Sequence, residues 1–150
     1  MTGGKSGGGG TTTDAPAGDY TQVTRSIRVT VRAAFLADRS RPDEHEYFWA
    51  YTVTIANEGS RRVQLLKRTW HITDAAGRTQ HVHGLGVIGE QPVLDPGACF
   101  EYTSGTPLGT ATGFMRGLYH MIEADSGAAF DVEIPAFSLD SPHQAATRLN

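Results

Sequence analysis

From Ile27 onward, apolar side chains recur at every second position, and this alternation restricts the fold more than any other feature of the chain. Ile27, Val29, Val31, Ala33 and Phe35 alternate with Arg28, Thr30 and Arg32. Tyr47, Trp49, Tyr51, Val53 and Ile55 alternate in the same way with Phe48, Ala50, Thr52 and Thr54. Side chains on a strand point alternately to opposite faces, so each run offers one face to a core, whereas an amphipathic helix needs a 3.6-residue period. The run over residues 62–74 changes parity midway: Val63 and Leu65 are odd, while Leu66, Trp70 and Ile72 are even. An extra residue in the ladder, a β-bulge at residues 65–67, reconciles the two halves.

Turn signals separate these runs. Asn57-Glu58-Gly59-Ser60 ends the second, and Asp74-Ala75-Ala76-Gly77 closes a hairpin into residues 78–82, with Gly77 free to take positive φ. Counted outward from that hairpin, Trp70 pairs with His81, and His71 falls on the opposite face. Shorter strands follow at residues 99–103, 114–123 and 128–137, and polar loops at 38–46 and 104–113. Cys99 reads as a small half-buried strand residue. Pro135 has no N–H to donate, which assigns its end of the last strand to a sheet edge or a bulge.

Seven short strands without a convincing helix predict an all-β fold, a two-sheet antiparallel sandwich of immunoglobulin/fibronectin III type. The 150 residues suffice for one core and are few for two. Residues 1–19, rich in glycine and threonine, read as a disordered tail, residues 20–142 as the domain and residues 143–150 as a second tail.

Composition narrows the function. A formal net charge of −3 with mixed signs gives no basic stripe, which argues against a nucleic-acid partner. The single cysteine, Cys99, excludes an intrachain disulfide and fits a reducing compartment. With no apolar run long enough for a signal peptide or a membrane span, a soluble cytoplasmic protein is expected.

One motif invites a chemical interpretation. Gly84-Leu85-Gly86-Val87-Ile88-Gly89 has the G-x-G-x-x-G spacing of dinucleotide-binding folds, where a helix after the third glycine holds the pyrophosphate at its N-terminus. Pro92 and then Asp95-Pro96-Gly97 leave no room for that helix, so the confirming context fails. Two readings remain. The glycines serve a turn that needs positive φ or close backbone approach. Alternatively, successive loop amides form a nest that binds an anion, with Gly84, Gly86 and Gly89 as candidate anion-binding residues.

Other clusters lead less far. His81 and His83 share one strand face, and His71 lies across the hairpin and His120 on a later strand, but the hairpin count puts His71 on the opposite face, so the three nearest do not converge as metal ligands. Tyr102-Thr103-Ser104-Gly105 lacks the pattern of a nucleophile elbow. Asp38, Asp43, Glu44 and Glu46 lack the fixed spacing of a cation loop. Arg61, Arg62, Lys67 and Arg68 border a strand, where basic residues protect a sheet edge.

Taken in order, several phrases resemble the ApaG family: Phe48-Trp49-Ala50-Tyr51-Thr52-Val53-Thr54-Ile55, Val63-Gln64-Leu65-Leu66, Trp70-His71-Ile72-Thr73, the loop over residues 84–89 with Gln91-Pro92, Pro96-Gly97, Tyr102-Thr103-Ser104-Gly105, Met115-Arg116-Gly117, Tyr119-His120-Met121 and Phe130-Asp131-Val132-Glu133-Ile134-Pro135. The resemblance runs over residues 23–142 and implies a fibronectin III-like sandwich. It also implies a protein-interaction module, an association with cobalt tolerance and magnesium efflux, and a suggested pyrophosphate or nucleotide site to which only Gly84, Gly86 and Gly89 correspond. The expectation is therefore a non-enzymatic binding module for a protein partner, without cofactor, catalytic residue, metal ligand, nucleic acid or membrane. The alternative is pyrophosphate or nucleotide-phosphate binding at residues 84–89.

Overall fold

The computed structural model describes residues 19–143. The segments expected to be tails, 1–19 and 143–150, lie outside that range apart from their innermost residues.

The alternating runs form strands, and the strands form two antiparallel sheets. In chain order they are β1 (Tyr20–Thr24), β2 (Ile27–Phe35), β3 (Tyr47–Asn57), β4 (Val63–Asp74), β5 (Thr79–Leu85), β6 (Val93–Leu94), β7 (Cys99–Leu108), β8 (Gly113–Glu123) and β9 (Ala129–Leu139). Sheet I has the order β1-β2-β3-β7, and sheet II has β5-β4-β8-β9 with β6 also pairing β4. Two 3-10 turns, Ala37–Arg39 and Pro42–Glu44, occupy the connection from β2 to β3.

β3 shows why the sandwich forms. Every odd-numbered residue from Tyr47 to Asn57 is buried and every even-numbered one is intermediate. Its inward row meets Trp70, Met115, Tyr119, Val132, Ile134 and Phe137 of sheet II in one core. The Trp49 indole N–H donates to the Asp140 carbonyl at 2.7 Å, so burial of this large ring leaves no polar atom unpaired. Buried Asn57 is equally satisfied: its amide donates to the carbonyls of Arg61 and Leu94 and accepts from the Gly59 N–H.

The predicted bulge in β4 is present, with the register against β8 shifting between Leu65 and Lys67. Pro135 also sits where its chemistry requires, in a second irregularity where the β8–β9 register jumps from Met115–Phe137 to Gly117–Ile134. Three expectations need correction. The described residues form nine strands rather than seven, the additional ones being β1 and the two-residue β6. Residues 104–108 continue β7 instead of forming a loop. An edge strand tolerates Pro107, and Gly105 lets β7 lie close to β3, since a Cβ there would stand 3.2 Å from the Trp49 carbonyl. Finally, Cys99 is exposed, because Phe100 and Tyr102 take the inward parity of β7.

The two flanks of the sandwich differ. On one side β1 is tied to β9: Gln22 Nε2 donates to Glu133 Oε1 at 3.0 Å, and the Glu133 N–H donates to Thr24 Oγ1 at 3.2 Å. On the other, the edge strands β5 and β7 stand apart and leave a cleft.

Candidate functional site

The turn after β5 closes one end of this cleft. The N–H of Val87 donates to the Glu90 carbonyl at 2.8 Å, and the Glu90 N–H donates back at 2.9 Å. Ile88 (φ 42°) and Gly89 (φ 81°) form the two-residue tip, a pairing of positive φ values that makes a tight hairpin turn. No helix begins at Glu90. The chain continues extended through Pro92 into β6, so the dinucleotide context is absent in structure as in sequence.

The β4 bulge holds this turn in place. The Leu66 carbonyl accepts from the Gly86 N–H at 2.8 Å and from Gln91 Nε2 at 3.0 Å. The three candidate glycines therefore stand in different circumstances. Gly86 has φ 60°, and a Cβ there would collide with the Glu90 carbonyl. Gly89 is at the tip with open space around it. Gly84 is opposite Arg68 in the β4–β5 pairing, and a Cβ there would lie 2.5 Å from Arg68 Nη1. The N–H groups of Gly86, Val87 and Glu90 are spent on backbone carbonyls, which leaves those of Ile88 and Gly89 at the tip.

Gly84 thus makes room for a guanidinium. Arg68 crosses it and donates from Nη1 to the carbonyls of Leu85 (3.1 Å) and Gly86 (2.9 Å). Arg68 shares the inward parity of Trp70 and Ile72 and lines the cleft, rather than protecting an edge as its neighbours Arg61, Arg62 and Lys67 suggested. Arg61 and Arg62 do sit at the surface, paired with Glu123 and Asp95. Among the described residues no carboxylate lies within ion-pair distance of Arg68.

The cleft has a volume of about 310 Å³, and its walls include Tyr51, Trp70, Val82, Tyr102 and Ser104. Behind it the Tyr102 and Tyr119 hydroxyls meet at 2.6 Å. Burial pushes all three tyrosine hydroxyls above their ordinary value. For Tyr51, hydrogen bonding with Ser104 and the charge of Arg68 act in the opposite direction. These phenols stay protonated at neutral pH, so they donate hydrogen bonds and do not serve as bases.

The outer face of sheet II carries the histidines, and here the expected register was off by one. Residues 75–77 form a three-residue turn between Asp74 and Arg78, whose backbones hydrogen-bond, while Asp74 Oδ1 accepts from the N–H groups of Ala76 and Arg78. His71 therefore pairs with His81, and Trp70 with Val82. A one-residue slip exchanges faces. The His71 and His81 rings meet edge to face, with centroids 4.5 Å apart. Desolvation, then Arg116 and the neighbouring imidazoles, holds His71 below its ordinary value.

Further along this face, Asp131 Oδ1 meets His120 Nδ1 at 2.8 Å, and His120 Nε2 meets Thr69 Oγ1 at 2.8 Å. His83 Nδ1 reaches the same hydroxyl at 3.1 Å. The carboxylate–imidazole–hydroxyl order is that of an activated nucleophile. Thr69, however, is only 8% exposed, and its hydroxyl is engaged by both rings. Among the described residues no three His, Cys, Asp or Glu side chains are placed to hold a metal ion, and the acidic side chains of the β2–β3 connection lie at the surface.

Beside the turn, the outer face is apolar. Leu85 is 71% exposed, Ile88 56% and Val93 51%. Leu85 pairs with Lys67 and Val93 with Gln64, so they flank the bulge at Leu66 on the outer face, while Ile88, at the turn between them, borders the cleft. No helix of the described residues is long and apolar enough to cross a membrane.

Sequence reasoning missed Arg68, Tyr51, Tyr102, Thr69 and Asp131 as members of these sites. One signal was available: Arg68 is the charged residue on the same parity as Trp70 and Ile72, a place where the pattern calls for an apolar side chain.

Known proteins share this architecture and sequence. The ApaG domain pattern matches residues 37–123. The ApaG protein of Rhodospirillum centenum is 64% identical over 83% of this chain and 95% of its own length. That of Paramagnetospirillum magneticum is 60% identical over 87% and 99%. A crystal structure from Bordetella pertussis, described as an ApaA protein, superposes with a TM-score of 0.75 at 46% identity, covering 77% of this chain and 94% of that one. The chain belongs to the ApaG family.

Proposed function

We propose that this ApaG-family chain is a cytoplasmic, non-enzymatic binding module that engages an extended segment of a partner protein along β5 and the apolar rim beside it. The observation that carries this reading is the exposure of Leu85, Ile88 and Val93 at the end of an edge strand. An unpaired strand edge offers backbone donors and acceptors to an incoming strand, and adjoining apolar side chains supply specificity. The non-enzymatic part is supported by the chemistry of the polar groups: the cleft phenols remain protonated, and the Thr69 hydroxyl is occupied on both sides. We further propose that the cobalt and magnesium association of the family runs through the partner rather than through ion binding by this chain.

Crosslinking capture from lysate with the native chain and with a Leu85→Ser/Val93→Ser variant tests the reading. The native chain should recover a defined partner, and the variant should lose it while keeping its fold. Recovery of no specific partner, or of the same partner by both, would refute it.

A second reading is pyrophosphate or nucleotide phosphate held at the turn of Gly84, Gly86 and Gly89. It is favoured by the two tip amides, Ile88 and Gly89, that are not spent on backbone carbonyls. Saturable amide shifts confined to these residues on adding pyrophosphate would support it.

A further inference from the structure

We propose that the cleft between β5 and β7 is a binding site for a small monocarboxylate, its head group on Arg68 and its apolar body against Trp70 and Tyr51. The proposal goes beyond partner docking on the outer rim and concerns the inward face of sheet II, where Ile88 at the turn borders both sites.

The first support is the state of Arg68. A guanidinium carries five N–H donors in a fixed fork. Here Nη1 is spent on the carbonyls of Leu85 and Gly86, which anchor the group, while Nε and Nη2 have no acceptor among the described residues. Those two nitrogens form the edge that pairs bidentately with a carboxylate. A cation on the inward face of a sandwich is costly unless paired, and the described residues supply no counter-charge within ion-pair distance. The position is nevertheless specifically built. Gly84 leaves space for the guanidinium, and the bulge at Leu66 presents the turn carbonyls that hold it.

The second support is the composition of the walls. Tyr51, Trp70 and Tyr102 are 6%, 3% and 5% exposed, and the Tyr51 and Trp70 rings pack edge to face with centroids 5.3 Å apart. They give an aromatic surface for a flat or branched hydrocarbon body. The neutral hydroxyls of Tyr51 and Ser104 add O–H donors for an anion, and the Arg68 charge beside them disfavours a cation.

Charge and size fix the ligand class. Among the described residues Arg68 is the only cationic side chain lining the cleft, so one negative charge is neutralised, whereas pyrophosphate or a nucleoside triphosphate would bring several. A volume of about 310 Å³ stands at the small end of ligand sites, suitable for an acid with one ring or a branched chain.

The test uses the full chain and 3-phenylpropionate, with 3-phenylpropionamide as the uncharged match and pyrophosphate as the multiply charged comparison. Titration is followed by amide-resolved NMR and by the Trp70 indole N–H signal, with Trp49 as the internal control. The carboxylate should give saturable shifts at Trp70, Ser104 and Gly105. The amide and Arg68→Gln should each weaken binding about tenfold to a hundredfold, the loss expected of a charge-assisted bidentate pair. Gly84→Ala keeps every charge and displaces the guanidinium, so it too should weaken binding, which separates positioning from charge. Spectra of the free variants verify the fold. Equal affinity for acid and amide, equal affinity of Arg68→Gln and native protein, or no saturable shift up to about 10 mM would overturn the proposal. Leu85 and Val93 do not line the cleft, so loss of partner capture on the rim variant with carboxylate binding intact would show that the two sites are independent.

Discussion

Removing the Tyr102 hydroxyl should cost more than removing that of Tyr119, although the two share one hydrogen bond of 2.6 Å. Tyr119 is 0% exposed, and its hydroxyl has no other protein partner among the described residues. In Tyr102→Phe that hydroxyl is left buried and unsatisfied, at a cost of about 1–3 kcal/mol. In Tyr119→Phe the orphan is instead the hydroxyl of Tyr102, a residue that lines the cleft, and a water from the cleft is expected to reach it. The expected loss is then about 0.5–1 kcal/mol, close to the net worth of the bond itself. The double variant removes donor and acceptor together and leaves no unsatisfied group. Its loss should fall below the sum of the singles by about 1 kcal/mol.

Urea unfolding at constant m-value measures all three differences, and thermal midpoints should move by about 2–6 °C per kcal/mol for a domain of this size. Equal losses for the singles would mean that water reaches both hydroxyls or neither. Strict additivity would mean that the two do not interact, and the closed back wall of the cleft would be refuted with it.

The same tyrosines predict alkaline instability. Their folded-state values are raised above the unfolded one, so the folded chain keeps protons that the unfolded chain releases; stability is full below about pH 10 and falls as pH rises above it. Tyr102→Phe should flatten that alkaline limb in urea midpoints measured across pH 9–11, and an unchanged slope would contradict the assignment. At the turn, Gly89→Ala should cost about 1–2 kcal/mol for a left-handed φ, and Gly86→Ala more, because its Cβ also meets the Glu90 carbonyl; the reverse order in urea midpoints would refute the turn geometry. Cys99 is exposed, so a thiol reagent should titrate one equivalent in the native protein, and a requirement for denaturant would place it in the core.

What could be read from the sequence was what depends on a single strand. The parity of β2 and β3 is a local property, and so is the break in parity that marks the bulge at Leu65–Lys67. The failure of the glycine motif was also local, since Pro92 and Pro96 exclude a helix wherever the rest of the chain goes. What could not be read depends on partners distant in sequence. β1 is five residues of weak alternation that become a strand through pairing with β2, and β6 is two residues defined by pairing with β4. Residues 104–108, with a glycine and a proline, have poor strand chemistry and are recruited by the ten-pair ladder of β3 with β7.

The candidate cleft was hidden for a related reason, and the hairpin at Asp74 shows how small the missing information is. A two-residue turn and a three-residue turn differ by one position, yet that position decides whether Arg68 or its neighbour lies opposite Gly84. With residues 75–77 in the turn, Gly84 faces Arg68, and the missing side chain becomes a seat for a guanidinium. Viewed along its own strand, Gly84 could only be interpreted as a backbone device, a site of positive φ or of amide donation. Its φ is not positive in the folded chain, and the amide of Gly86 beyond it is spent on the Leu66 carbonyl. A glycine inside a strand can therefore mark the footprint of a side chain from the strand beside it. Gly84→Ala separates the two meanings: displacement of Arg68 signals with the tip amides of Ile88 and Gly89 unmoved supports the seat, and the converse supports an amide cradle.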